Sequence, residues 1–225
     1  MIIEVIATTV QDVKDAEKFG ADRIELCLDI KKGGLTPSYE LIKAVVKSCD
    51  IPVNVMVRPH ARSFVYDKKD TETMLHDIEF VKKSRANGIV IGPLTPQGKI
   101  DEESLQTFLE AAEGLDVTFH RAFDYVEDQL EALECLLRYK QITTILTAGG
   151  KGFAAEQIPD LKKFISYAKD THLTIMPGHG LRTNNIKQLV EKLNPQALHF
   201  GSGVRVANNF ELSLDKDKIK QLKCL

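Results

Sequence analysis

Cysteine is scarce and scattered in this chain. Its four cysteines, Cys27, Cys49, Cys135 and Cys224, include no CxxC pair. That spacing signals neither a zinc site nor a disulfide framework. Long apolar runs are missing too. No stretch nears the ~18 residues that cross a bilayer. The opening MIIEVIATT places Glu4 inside its only apolar stretch, with no basic residue ahead of it. Neither a membrane span nor a signal peptide is expected, and the expected compartment is the cytoplasm. Charge of one sign is not in excess: 30 basic against 32 acidic residues leave a net charge of −2. A nucleic-acid partner or an anionic membrane surface is therefore not expected.

Several catalytic signatures are also missing. There is no GxGxxG after the first apolar run, no HExxH and no GxSxG. No lysine falls on any of the apolar runs described next, which argues against a Schiff-base aldolase of the common barrel kind.

What is present is rhythm. Eight short apolar runs occur at 2–7, 23–28, 52–57, 88–92, 116–120, 142–147, 172–177 and 197–201, their starts about 28 residues apart. About 20 residues separate successive runs, enough for one helix and two loops. Residues 71–84 carry Met74, Leu75, Ile78 and Val81 at helical spacing, and 127–138 carry Leu130, Leu133, Leu136 and Leu137. Thr36-Pro37, Asp101 and Thr183 read as helix starts. With no linker or break in composition, residues 1–225 are expected to form a single-domain (β/α)8 barrel. Only 214–222 reads as a final helix, and it is short.

Alternate residues of a barrel strand point inward, and chemistry sits at the strands' C-terminal ends. Polar residues on these runs are therefore informative. Glu4, Glu25, Arg58, Thr118, His120, Thr147 and His199 are all expected to face the lumen, where charges need partners. Glu4, Glu25, Arg58, His120 and His199 are the candidate catalytic set. A purely structural Glu25–Arg58 ion pair is an equal reading of those two. Asp124 with Glu127 three residues later reads as a capping box as readily as a functional carboxylate. The loops after the seventh and eighth runs are rich in glycine. Gly178, Gly180, Gly201 and Gly203 are candidate anion-binding positions, since such loops offer backbone N–H groups.

Five segments together resemble the CutC copper-homeostasis family: GADRIELCLDIKKGGLTPSYELIKA at 20–44, VMVRP at 55–59, VTFHRAFD at 117–124, ILTAGG at 145–150 and IMPGHGLRTNNI at 175–186. The resemblance implies a cytoplasmic TIM-type barrel, assembled as a homodimer or homotetramer, with copper as the associated ion. The family's copper argument rests on two cysteines, one near the end of each of the first two strands. The second is Cys27 here, whereas the first position is Ile6. A lone thiolate is a poor Cu(I) site, so no tight Cu(I) site is expected at the first two strands. The family's PGGG reads PGHG here, with His179 as the substituted residue, and its RPRGG reads RPHAR. Three readings stand at this point. One is a copper-handling protein, one a metal-independent barrel enzyme doing acid–base chemistry on a small anionic or phosphorylated molecule, and one a barrel without catalysis.

Overall fold

A computed structural model describes all residues, 1–225. Eight parallel strands alternate with eight helices. The strands are β1 (Ile2–Ala7), β2 (Arg23–Leu26), β3 (Val53–Met56), β4 (Gly88–Ile91), β5 (Asp116–Phe119), β6 (Ile142–Thr147), β7 (Thr174–Pro177) and β8 (Ala197–Phe200). The helices are α1 (Val10–Phe19), α2 (Tyr39–Val46), α3 (Lys68–Ser84), α4 (Glu102–Ala111), α5 (Gln129–Leu137), α6 (Ile158–Ala168), α7 (Ile186–Leu193) and α8 (Lys216–Leu222). The ladders run β7-β6-β5-β4-β3-β2-β1-β8. This is the expected (β/α)8 barrel, nearly closed: β8 lies beside β7 at the seam with no hydrogen-bonded ladder between them.

The apolar residues divide in two by strand parity. Ile3, Val5, Ile24, Val55, Ile89, Val117, Ile145 and Ile175 belong to the main core between sheet and helices. The opposite parity lines the lumen in two small clusters, one of Cys27, Met56 and Val90, the other of Leu146, Met176 and Ala197. Paired residues of a parallel ladder share a face. Glu4 pairs with both Arg23 and His199, and Glu25 with Asn54, so all five face the lumen.

Helix starts follow local chemistry, with some shifts from the sequence reading. Asp101 caps α4 by accepting from Ser104 N–H, as its position implies. The α2 cap is Ser38, which accepts from Leu41 N–H, and not Thr36. The α5 cap is Asp128, which leaves Asp124 free for another role. Thr183 starts no helix: α7 begins at Ile186, and its flanking Asn185 makes no capping bond. The last helix is the seven-residue α8, capped by Asp215. No helix is long and apolar enough to cross a membrane.

Candidate functional site

The lumen holds a chain of charged side chains drawn from β1, β2 and β8. Arg23 Nε donates to Glu4 Oε2 at 2.5 Å, and His199 Nδ1 meets Glu4 Oε1 at 2.7 Å. His199 Nε2 lies 3.8 Å from Glu25 Oε2, and the Cys27 thiol donates to that oxygen at 3.7 Å. Glu4, Glu25, Cys27 and His199 are buried, and Glu25 Oε1 has no partner. Burial alone raises the Glu4 carboxyl. The His199 hydrogen bond and the Arg23 charge outweigh it and hold Glu4 below the ordinary carboxylate range. Burial also raises Glu25, and the Glu4 charge adds to this, so its proton is held more tightly than usual. Burial opposes a charge on His199, but the two glutamates reverse that and raise it. Burial pushes the Cys27 thiol well above its ordinary value, and Glu25 pushes it further, so Cys27 stays protonated.

The sequence reading missed Arg23. Its position two residues before Glu25 places it on the same face. The Glu25–Arg58 ion pair does not form. The cation beside the lumen carboxylates is Arg23, and Arg58 is engaged elsewhere.

Arg58 stands at the barrel mouth beyond β3. It is buried, and no carboxylate lies within ion-pair distance. Its Nη1 donates to the carbonyls of Lys32 and Gly34 at 3.0 and 3.2 Å, tying down the loop after β2. Its guanidinium lies 4.7 Å from the Phe64 ring, and Tyr66 is a close neighbour. Phe64 in turn packs on His120, with ring centroids 5.0 Å apart. His120 is pushed down to about 3 by burial and by the Arg58 charge, so it is a neutral imidazole. Its Nδ1 accepts from Ala122 N–H at 3.1 Å, which places the hydrogen on Nε2. Gly92 at the end of β4 makes room for the ring: a Cβ there would stand 2.3 Å from it. Arg58 Nε, Tyr66 Oη, Thr118 Oγ1 and His120 Nε2 are all buried without partners.

Other expected positions have different surroundings. Thr147 shares its parity with Ile145, not with lumen-facing Leu146, and its hydroxyl binds Asp124 on the helix side of the sheet. The expectation that Thr147 faces the lumen is thereby corrected. Asp124 also accepts from Ala148 N–H at 3.1 Å and Arg121 Nε at 2.8 Å. It joins the segment after β5 to the end of β6 and caps nothing.

Of the loop glycines, Gly178 spends its N–H on Thr147 O at 2.9 Å, so that donor is closed to an anion. A Cβ at Gly203 would stand 1.9 Å from Leu181 O, and one at Gly201 would stand 2.8 Å from the Phe210 ring. Close packing alone accounts for both. Gly180 has φ +72° and lies under Phe153, and its carbonyl accepts from Asn185 Nδ2. A further buried ion pair, Asp12 with Arg205 at 2.7 Å, pins the loop after β8 to α1. Its members lie 193 positions apart, with no local pattern marking either. A surface groove between α4 and α5, lined by Lys99, Glu102, Glu131 and Arg138, lies outside the barrel and touches none of the lumen residues.

The model of the CutC family matches residues 1–204. A CutC family protein of Pasteurella multocida is 41% identical over 208 residues, covering 92% of this chain and 84% of that protein. The human copper homeostasis protein cutC homolog is 39% identical over 198 residues, 88% of this chain and 72% of its own length. The crystal structure of a CutC protein from Streptococcus agalactiae superposes with a TM-score of 0.83 at 30% identity, covering 89% of this chain and 98% of that one. Phosphoribosylanthranilate isomerase from Thermotoga maritima has a TM-score of 0.62 at 18% identity, covering 99% and 97%, a similarity of fold alone.

Proposed function

Because the chain belongs to the CutC family, we propose that it serves copper homeostasis, the role for which its human and mouse relatives are named. The match across residues 1–204 carries this reading, and it is favoured over a metal-independent enzyme. A strain lacking the chain tests it. Growth impaired by added copper and restored by the wild-type gene is the expected result. Unchanged copper tolerance in the deletion strain overturns it.

Cu(I) does not fit the Cys27 surroundings. The first two strands offer one sulfur, held as a thiol, with Ile6 packed against the same cluster. Met56 packs there too, whereas Met176 belongs to the other lumen cluster and takes an N–H from Arg23. Cu(I) wants two or three soft donors, thiolate foremost. The copper role therefore does not run through a Cys27 thiolate cage.

A second reading concerns a small anionic ligand at the barrel mouth. The supporting observation is the buried Arg58 guanidinium, which lacks a carboxylate counter-charge and sits beside the unpartnered Tyr66 and His120. A buried cation is costly unless paired, and a carboxylate or phosphate supplies the missing charge. In this reading Gly180 contributes backbone at the rim, with Gly201 and Gly203 shaping the adjacent loop. Proton exchange with the bound molecule then falls to a lumen carboxylate, Glu25, whose Oε1 has no partner. Titration with inorganic phosphate tests it: binding lost in Arg58→Ala and in His120→Ala supports the site, and no difference from wild type rejects it.

The cytoplasm is the proposed compartment. A homodimer or homotetramer is the proposed assembly, since α8 covers its sector thinly and Val206, Leu212 and Leu225 stay exposed nearby. Light scattering should give a mass above the 25.2 kDa of one chain, and a mass of one chain at micromolar concentration rejects assembly.

A further inference from the structure

We infer that Glu25 and the Nε2 atom of His199 form the inner ligand pair of a buried site for a borderline divalent cation of the zinc type, with Glu4 as the outer carboxylate that orients the imidazole. Three strands build it: β1 supplies Glu4, β2 supplies Glu25 and β8 supplies His199. One potential ligand atom from each lies within 4.8 Å of the other two. The three residues are 1%, 2% and 6% exposed, so the donors are fixed by the barrel and not by mobile side chains.

The hydrogen bonds assign the roles. Both Glu4 oxygens are taken, one by Arg23 Nε and the other by His199 Nδ1. Glu4 therefore stands behind the histidine. A carboxylate on one ring nitrogen fixes a ligating histidine's tautomer and leaves the other nitrogen for the metal. That other nitrogen, Nε2, faces Glu25 Oε2 at 3.8 Å. The gap is too long for a hydrogen bond. Two tetrahedral donors at ~2.0–2.1 Å from one ion stand roughly 3.4 Å apart, so a shift of a few tenths of an ångström admits the ion.

Glu25 Oε1 gives the independent sign of a ligand. It is buried and unpartnered, a state that is costly for a carboxylate oxygen. An ion there would be held by Oε1, Oε2 and the imidazole, with water at the remaining positions. Arg23 already balances Glu4, and the positive group facing Glu25 is the His199 ring, whose Nε2 proton the cation would displace. A nitrogen and oxygen donor set suits Zn2+ or another borderline divalent ion, and is poor for Cu(I). Cys27 is not one of the three, although its thiol donates to Glu25 Oε2 at 3.7 Å and so borders the site. The inference does not rest on the copper-homeostasis reading: copper sensitivity of a deletion strain would survive its failure.

Calorimetric titration of the full chain with Zn2+ tests the site. One ion per chain is expected. Binding should weaken by roughly 100-fold or more in Glu25→Gln and His199→Gln, and by roughly 10–100-fold in Glu4→Gln. It should be unchanged in His60→Gln, which removes the His60–Asp70 pair at the rim as a competing site. Binding only in the millimolar range, or binding that survives His199→Gln, overturns the proposal. Imidazole nitrogen NMR of the wild type decides the matter if the variants fail to fold. A Zn2+-induced shift of His199 Nε2, with Nδ1 still protonated, supports the site. A shift at Nδ1, or none at His199, refutes it.

Discussion

His199 Nδ1 lies 2.7 Å from Glu4 Oε1, across the ladder that joins the eighth strand to the first. The two residues are 195 positions apart in sequence. Register alone brings them together, because Glu4 and His199 are paired in the β1–β8 ladder. Arg23, paired with Glu4 on its other side, completes a charged layer across three adjacent strands.

That layer makes Glu4 costly to neutralise. In Glu4→Gln the shape is kept, but Arg23 and His199 lose their counter-charge inside the barrel. Removing one member of a buried ion pair typically costs about 3–5 kcal/mol. Urea unfolding of wild type and variant should show a loss in that range. A loss below about 1 kcal/mol would mean that the layer contributes little to stability.

His120 gives the fold a defined acid sensitivity. Its folded value of about 3 lies below the ordinary 6.5. The unfolded imidazole takes up a proton below about 6.5, and the folded one does not. The stability associated with the neutral ring is thus fully present above that value and is lost as pH falls toward about 3. The slope from this group approaches ~1.4 kcal/mol per pH unit. Unfolding free energies measured from pH 7 down to about 4 should fall less steeply in His120→Gln than in wild type. Equal slopes would contradict a buried neutral His120.

The Asp12–Arg205 pair should behave as a structural clasp. Arg205 is 2% exposed, donates to Asp12 through Nη1 and Nη2, and also to Leu212 O at 2.9 Å. Arg205→Met leaves Asp12 half-paired against α1, with an expected cost of about 3 kcal/mol or more. A double-mutant cycle with Asp12→Asn should return a coupling of at least ~1 kcal/mol. Additive effects of the two substitutions would show that the pair is not a unit.

Much of this architecture was legible in the runs themselves. The IEV and IEL contexts of Glu4 and Glu25 fixed a lumen-facing parity, and the ladders place both side chains there. The same parity applied to the run from Arg23 would have found the arginine that neutralises Glu4. Thr147 shows the limit of arguing from polarity alone: counting from Leu146 turns it toward the helices and Asp124. Arg58 and Glu25 sit on neighbouring strands, but Arg58 lies past the end of β3 and reaches over the mouth to the 30–34 loop. The Asp12–Arg205 pair spans 193 positions, and no local pattern in either segment encodes it. The PGHG departure does have a local meaning. His179 takes φ +81°, a left-handed conformation that a glycine adopts without strain.

The most direct test of the account is a Cu(I) competition titration on wild type, Cys27→Ala and Ile6→Cys. With a lone protonated thiol at Cys27 and a branched hydrocarbon at position 6, wild type and Cys27→Ala should compete equally poorly against a Cu(I) chelator. Ile6→Cys supplies the second sulfur in the same lumen cluster, and should gain one tightly held Cu(I). One tightly held Cu(I) in wild type that disappears in Cys27→Ala would contradict the account and return copper to Cys27.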